Sequence, residues 1–578
     1  MIREPVKIRV KDSSFIAWMP PLLLALQFFL AILQLLDVFE VVYIPMVNRI
    51  IISMTFRLES SMLLPLLVLL VFWVDWMLLK KEFKALMLPA LAIFFLPISN
   101  IEVAISIASL IAAATGLFVE RCFKKSISGI LLYLSMIEAV ALIHWVVLLP
   151  LGLSSPFNEI TRIEMGLFYI AGRIAPFMGL LLMLTWSLSL YRKWSGENST
   201  EINKSIADIG DWEKKFFLLI LIIGIIVPLY AYLPNVNPLN GNVGTDIPNY
   251  VKRMESIGND IVTIFYSSSR PLISILIFSF QRIFGLNTLS TVRYLPTILI
   301  PLMLASSYFL SFNFSENKRI AIWTMFFTLC GYQTVVGMYS HFITNMLALS
   351  MIFFSLGFLF NALKYVSYKK TFIASFFGGM TVFIHPWTLD QYLGGFLLLI
   401  LYICYQAFFK REYNRELKLI LVYLTTIGLS ELLKTLVFHG MGVVGASTTT
   451  LGGVSGISNF WNSSKFIFTI LYGGLLSNIL LLSLAVLGIY TLTKRNNLPT
   501  YYFTLFMIAT SSLYIIGNRI IMNRLFYNLP IGLFASYGFL WLSKNMKEDH
   551  MEKSFTYLTI LSSIVYLFRS LANLSHVV

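Results

Sequence analysis

Apolar runs of roughly 17 to 25 residues recur along the chain, separated by short polar stretches, and each is long enough to cross a hydrocarbon core as a helix. Runs such as LLLSLAVLGIY show no two-residue alternation, which excludes a closed β-barrel built from alternating strands. The pattern predicts an all-α polytopic membrane protein. Its first span covers Phe15 to Leu36. Val41 to Leu58, interrupted by Pro45, Asn48, Arg49 and Arg57, is ambiguous; if it lies on the outer surface as an amphipathic helix, the following span from Met62 to Leu79 returns to Lys80, Lys81 and Lys84 inside, the favourable sign. Two short spans and two longer ones, Ile127 to Leu149 and Met165 to Leu190, complete an N-terminal transmembrane module, residues 1–190, of about six spans. The polar segment Tyr191 to Lys215 reads as a cytoplasmic linker, residues 191–215, and a domain boundary. Residues 216–578 form a second transmembrane domain of about eleven spans, opening with Phe216 to Leu233 and broken after it by Pro234 and Pro238.

Composition agrees: 58% of residues are hydrophobic and 12% charged, about half the charge of a soluble domain. The formal charge of +15 is a topology signal, because Lys and Arg collect in cytoplasmic loops. The basic tail MIREPVKIRVK places the N-terminus in the cytoplasm, and a first apolar run without a small-residue cleavage site argues against a removed signal peptide. The short segment Pro271 to Phe284 decides the rest. If it crosses, the basic loops SENKR, KYVSYKK, FKREYNRELK, TKRNN and KNMKEDHMEK fall outside; if it lies on the outer face, all five fall inside. The second choice satisfies the charge rule and puts the C-terminus outside. The basic residues left on the outer side are then chiefly Lys252, Arg253, Arg270, Arg282, Arg293, Arg519 and Arg524, with Arg173, Lys434 and Arg569 inside spans. The basic balance faces anionic inner-leaflet lipid of a plasma membrane and implies no nucleic-acid partner. Cys122, Cys330 and Cys404 are scattered and indicate neither a disulfide framework nor a thiolate metal site.

Ionisable side chains near lipid are expensive, so the charged stretch Gly244 to Pro296, holding Asp246, Glu255, Asp260, Arg270, Arg282 and Arg293, is the first place to look for chemistry. In GTDIPNY, Asp246 presents a carboxylate just past a span end, with Pro248 stiffening the approach to Tyr250. Such a group can deprotonate a hydroxyl or hold a divalent cation, or it can simply cap the helix NYVKRMESI. His341 in GYQTVVGMYSH is either a structural hydrogen-bonder or a catalyst. His385, Trp387 and Asp390 in FIHPWTLDQY offer a sugar-stacking platform or a piece of the interfacial aromatic belt. The Gly- and Ser/Thr-rich loop His439 to Lys465 reads as a cover over a site. Arg519 and Arg524 can grip a phosphate with a bidentate fork, or snorkel to lipid headgroups. Asp75, Glu138, His144 and Glu431 lie within apolar runs without assignable partners.

The order of these motifs resembles the GT-C superfamily of integral-membrane glycosyltransferases, which includes protein O-mannosyltransferases and aminoarabinose transferases. The resemblance runs from about Lys214 to Leu571 and consists of G-x-D-x-x-x-Y at Gly244 to Tyr250, S-R-P-L at Ser269 to Leu272, G-L after the short helix, R-x-L-P at Arg293 to Pro296, and R-x-x-x-x-R-x-x-x-x-L-P at Arg519 to Pro530. It implies a polyprenyl- or dolichyl-phosphate sugar donor, an outward-facing site, Asp246 as the catalytic aspartate, interface helices at Pro271 to Phe284, and Arg519 or Arg524 on the donor phosphate. Tyr250, Asp260, Arg270, His341, His385, Trp387 and Asp390 are then donor- or acceptor-site residues. The chain departs from the family in having a single Asp where many members have adjacent acids, and His341 where many have a second acid. Metal dependence is therefore unassigned, and the absent WWDYG signature argues against en bloc transfer to asparagine.

The expected function is transfer of one sugar from a lipid phosphate to a lipid, glycan or protein acceptor at the outer face of the cell envelope. The rivals are a transporter or flippase of lipid-linked sugars, which needs broken or ionisable helices at mid-membrane, and a non-catalytic scaffold whose first six spans dock partner chains.

Overall fold

The computed structural model describes residues 138–153, 211–257, 260–410, 413–438, 460–472, 478–492, 497–517, 519–546 and 549–577, with single residues at 135, 182 and 495. Glu138–Pro156 and Ala171–Val578 form one compact unit, and the description concerns that unit alone. The expected spans before residue 138, the helix at Val41 to Leu58, Asp75, the span Met165 to Leu190 and most of the linker and of the Gly-rich loop lie outside the described residues.

Among the described residues the chain is helical, with no strand. The helices are α1 (Glu138–Leu148), α2 (Asp211–Tyr230), α3 (Ile247–Ile257), α4 (Ile261–Ser267), α5 (Pro271–Phe284), α6 (Thr288–Tyr294), α7 (Pro296–Ser315), α8 (Lys318–Leu329), α9 (Tyr332–Ser340), α10 (Ile343–Tyr365), α11 (Tyr368–Ile384), α12 (Pro386–Lys410), α13 (Asn414–Phe438), α14 (Phe460–Phe466), α15 (Ile479–Leu492), α16 (Leu498–Ile516), α17 (Arg519–Tyr527), α18 (Ile531–Asn545) and α19 (Asp549–Val577). Six of the described helical stretches are long and apolar enough to cross a membrane, or seven if α17 and α18, bent by 55°, count as one broken span. This is a multi-pass membrane protein.

The packing has the membrane signature of apolar side chains left exposed on outer helices. Leu218, Leu219, Ile222, Ile225, Ile226 and Leu229 are exposed along α2, and Leu421, Leu429, Leu432, Leu433 and Leu436 along α13. In lipid those side chains are solvated, so helix association rests on close backbone approach and hydrogen bonds. Accordingly α15 and α18 meet at Gly488 and Gly538, where any added Cβ would collide with the Phe534 or Leu484 carbonyl. On α11, Gly378 and Gly379 admit Ile427 and Ser430 of α13, and Ser355 bridges to the Tyr423 hydroxyl at 2.9 Å. From Ile320 to Met338 every residue is buried, and this stretch forms the centre of the bundle.

The segment that decides the topology forms the helix α5 over Pro271–Phe284. Pro271 sits at its first turn, where its missing N–H costs nothing, and Gly285 ends it at φ 64°, a left-handed conformation that side chains resist. Its buried side chains Ile273, Ser274, Ile277 and Phe280 recur at helical spacing and make one inward face, while Ile283 and Phe284 are exposed. At 14 residues it is an apolar helix shorter than the six long enough to cross a membrane.

Candidate functional site

The site collects where several helices break at one end of the bundle. After α2 the chain runs through a loop that Arg293 of α6 staples from outside. Its Nε donates to Asn242 Oδ1 at 2.9 Å and its Nη2 to the Asn240 carbonyl at 3.1 Å, while the guanidinium lies over Tyr232. The R-x-L-P arginine is thus a structural staple. Burial raises the Tyr232 hydroxyl to about 12, so it stays neutral while accepting from the Val243 N–H at 3.4 Å.

The staple delivers Gly244 against His341. A Cβ at Gly244 would sit 2.6 Å from the His341 Cβ, so only glycine allows this approach. The contact is pinned by Thr245 N–H, which donates to the Tyr339 carbonyl at 3.0 Å. His341 ends α9 in the left-handed region at φ 52°, is fully buried, and sets its ring against Tyr250. Burial pushes its pKa down to about 3, so at neutral pH it is an uncharged wedge.

Asp246 is half-buried at the start of α3, with Oδ1 accepting from Asn249 Nδ2 at 3.2 Å. One turn on, Tyr250 is buried and its hydroxyl meets Thr344 Oγ1 at 3.0 Å, while Arg270 Nη1 donates to the same oxygen at 3.2 Å. Thr344 on α10 therefore ties the loop tyrosine to the arginine that precedes α5.

The arginines converge on this carboxylate. Arg253, one helical turn beyond Tyr250, lies within electrostatic range of Arg270, Tyr250 and Asp246; burial, then Arg270, lowers it from the ordinary guanidinium value. Arg524 of α17 reaches the same place, within range of Arg270, Asp246 and Tyr250, with its guanidinium over the Trp387 ring at 4.4 Å. Arg253 Nη1 and Arg524 Nε and Nη1 are buried without a hydrogen-bond partner among the described residues. Each such atom costs about 1–3 kcal/mol unless something negative occupies the space in front of it.

His385 stands behind this cluster, fully buried between α11 and α12. Its Nδ1 accepts from the Thr388 backbone N–H at 3.2 Å, which leaves the ring proton for Nε2. Burial, followed by the positive charges of Arg270, Arg524 and Lys434, holds its pKa well below the usual histidine range. Lys434 of α13 is fully buried, donates to the Val382 carbonyl at 2.6 Å, and lies within range of Arg270 and Glu431.

The break between α17 and α18, which aims Arg524, is held by side chains of α9 and α12 and by Tyr472. Gln391 donates to the Leu525 carbonyl at 3.0 Å, Tyr332 and Gln333 to the Leu529 carbonyl, and Tyr392 to the Asn528 carbonyl at 2.7 Å. Asn528 donates back to Gln391 Oε1 at 2.9 Å, and Tyr472 donates to the Asn523 carbonyl at 2.7 Å. The carbonyls freed by the break are thus satisfied inside the protein, as a dry interior requires.

Of the residues singled out from the sequence, the structure brings together Asp246, Tyr250, Arg270, Trp387 and Arg524, with His341 and His385 packed against them. It separates two others. Asp260 is exposed and caps α4, accepting from the Thr263 N–H at 2.8 Å. Arg519 is exposed, with its guanidinium over the Phe466 ring and within electrostatic range of Tyr339. Asp390 is half-buried on α12. Arg253, Thr344 and Lys434 are the members that sequence reasoning missed: Arg253 looked like one more loop cation, and Lys434 like a charge stranded in a span. A helical-wheel reading that placed Arg253 one turn from Tyr250 was the available signal. Among the described residues no group of three His, Cys, Asp or Glu side chains is arranged to hold a metal ion.

No family model matches the chain, and no curated protein matches it.

Proposed function

We propose that this chain is a membrane glycosyltransferase of GT-C type, moving a sugar from a polyprenyl- or dolichyl-phosphate donor to a hydroxyl acceptor at the extracytoplasmic face of the plasma membrane. The observation that carries the reading is the meeting of Asp246 and Arg524, from distant parts of the chain, with Arg253 and Arg270 around them. In the step proposed, the acceptor oxygen bonds to the anomeric carbon, the bond from that carbon to the phosphate oxygen breaks, and its electron pair stays on the phosphate. Asp246 takes the acceptor proton. Arg524, held over Trp387, meets the charge that grows on the departing phosphate, where a dry site makes neutralisation worth most. The outward placement follows from charge: the opposite end of the bundle carries Lys318, Arg319, Lys364, Lys369 and Lys370, which the positive-inside rule assigns to the cytoplasm.

Purified protein in liposomes, given radiolabelled lipid-phosphate sugars and membrane extract as acceptor, should transfer label. Asp246→Asn should lower transfer by about 10²–10⁴-fold while donor binding persists. Wild-type turnover by that variant removes Asp246 as the base. The broken helix pair α17–α18 is also what a carrier of lipid-linked sugars would have. The same liposomes separate the two readings, since a carrier moves the labelled lipid across the bilayer unchanged.

A further inference from the structure

The arginine cluster contains more positive charge than a lipid monophosphate needs. Arg270 is the shared neighbour, within electrostatic range of both Arg253 and Arg524. Each outer arginine also has Asp246 and Tyr250 in range. The tethers differ as well, since Arg270 is anchored through Nη1 to Thr344 and Arg524 lies on Trp387. Among the described residues the buried Nη1 of Arg253 has no hydrogen-bond partner. Glu431 lies beside Lys434, so the ammonium is offset locally, and the three guanidinium groups stand against the single carboxylate of Asp246.

We propose that the donor bound here carries a diphosphate, with one phosphoryl group between Arg270 and Arg524 and the second between Arg270 and Arg253, so that Arg253 selects a lipid diphosphate over a lipid monophosphate. This rests on the transferase reading for its context. A sugar diphosphate diester carries two negative charges, equal to the surplus of three guanidinium groups over Asp246, whereas a monophosphate diester carries one. With a monophosphate, Arg253 would keep a buried, unpaired N–H and an unrelieved repulsion from Arg270. When the sugar leaves, the bond from the anomeric carbon to the proximal phosphate oxygen breaks, the electron pair goes to that oxygen, and the third charge of the lipid diphosphate meets the same guanidinium groups.

The test uses the full chain in detergent with two soluble probes, geranyl monophosphate and geranyl diphosphate, followed by calorimetric titration. The diphosphate should bind at least about tenfold tighter, the value of one charge-assisted hydrogen-bonded contact. Arg253→Ala should remove that advantage, weakening diphosphate binding at least about tenfold more than monophosphate binding. Arg253→Gln serves as the second variant if the alanine protein aggregates. Equal affinity for the two probes, or loss of both to the same extent in the variant, overturns the proposal. Sugar transfer from a lipid monophosphate but not from a diphosphate also overturns it and leaves the transferase reading standing. An Arg253-dependent preference for diphosphate without transfer from either donor supports it and removes the transferase reading instead.

Discussion

The two ends of the helical bundle are both rich in basic residues, and they treat that charge in opposite ways. At one end Lys364 pairs with Glu316 on the surface, Lys370 donates to the Asn361 side chain, and Asn361 in turn donates to Asn313 at 2.6 Å. Those groups come from helix ends, residues 313–316 and 361–370, and are exposed or only partly buried. At the other end Arg253, Arg270, Arg524 and Lys434 come from four separate elements, are drawn together behind protein surface, and include guanidinium atoms with no partner. Positive charge at a surface turn costs little, and there it marks topology. Positive charge gathered and partly desolvated costs stability, which a folded protein keeps when a ligand offsets it.

The sharpest way to break this comparison is to remove one arginine from each surrounding. Arg524→Ala should lower sugar transfer by about 10²–10³-fold, as for other donors aimed at developing charge, while Arg519→Ala, five residues earlier and exposed, should stay within about twofold. Initial-rate measurements on both variants decide it, and similar losses would mean that the exposed arginine belongs to the site.

Next in size is the contact that brings the loop to the cluster. Gly244→Ala pushes a methyl group into His341 and should destabilise the fold by about 1–3 kcal/mol, read as a lower midpoint of thermal unfolding in detergent. Gly285→Ala tests the other special glycine: its neighbourhood is open, so the penalty is the strain of the left-handed backbone alone, about 1 kcal/mol.

The buried histidines supply a pH signature. The folded-state pKa of His341 lies below its unfolded value of 6.5, so between pH 6.5 and about 3 the unfolded chain binds the extra proton. Stability from this group is complete above pH 6.5 and falls as the pH drops through that window, by about 1.4 kcal/mol per pH unit once well inside it. Comparing unfolding midpoints at pH 7.5 and 5.5 for wild type and His341→Asn checks the sign; the variant should lose less on acidification. Smallest is the opposite end. Lys364→Ala should change stability by less than about 1 kcal/mol and leave transfer alone, because an exposed ion pair is screened by water and salt.

Much of the local architecture was legible because each feature depends on neighbours in sequence. Proline at the first turn and glycine after the last bound α5 at Pro271 and Phe284, and the cap of α4 by Asp260 is a three-residue relation. The same Asp260 shows the cost of reading a charged stretch as a unit: it was grouped with Asp246, yet it serves a helix terminus in solvent. Arg519 and Arg524 were interchangeable on their surroundings in sequence, and so were Arg253 and Lys252.

The chain's own letters therefore determined the class of solvent, the helical character, the interface-length helix and the pool of charged residues from which a site could be made. Tertiary structure alone decided which members of that pool meet. The reason is physical: hydropathy and helix-end signals act over one turn or one span. The approach of Gly244 to His341, the bridge of Thr344 between Tyr250 and Arg270, and the seating of Arg524 on Trp387 depend instead on how helices from distant parts of the chain pack and where each one breaks.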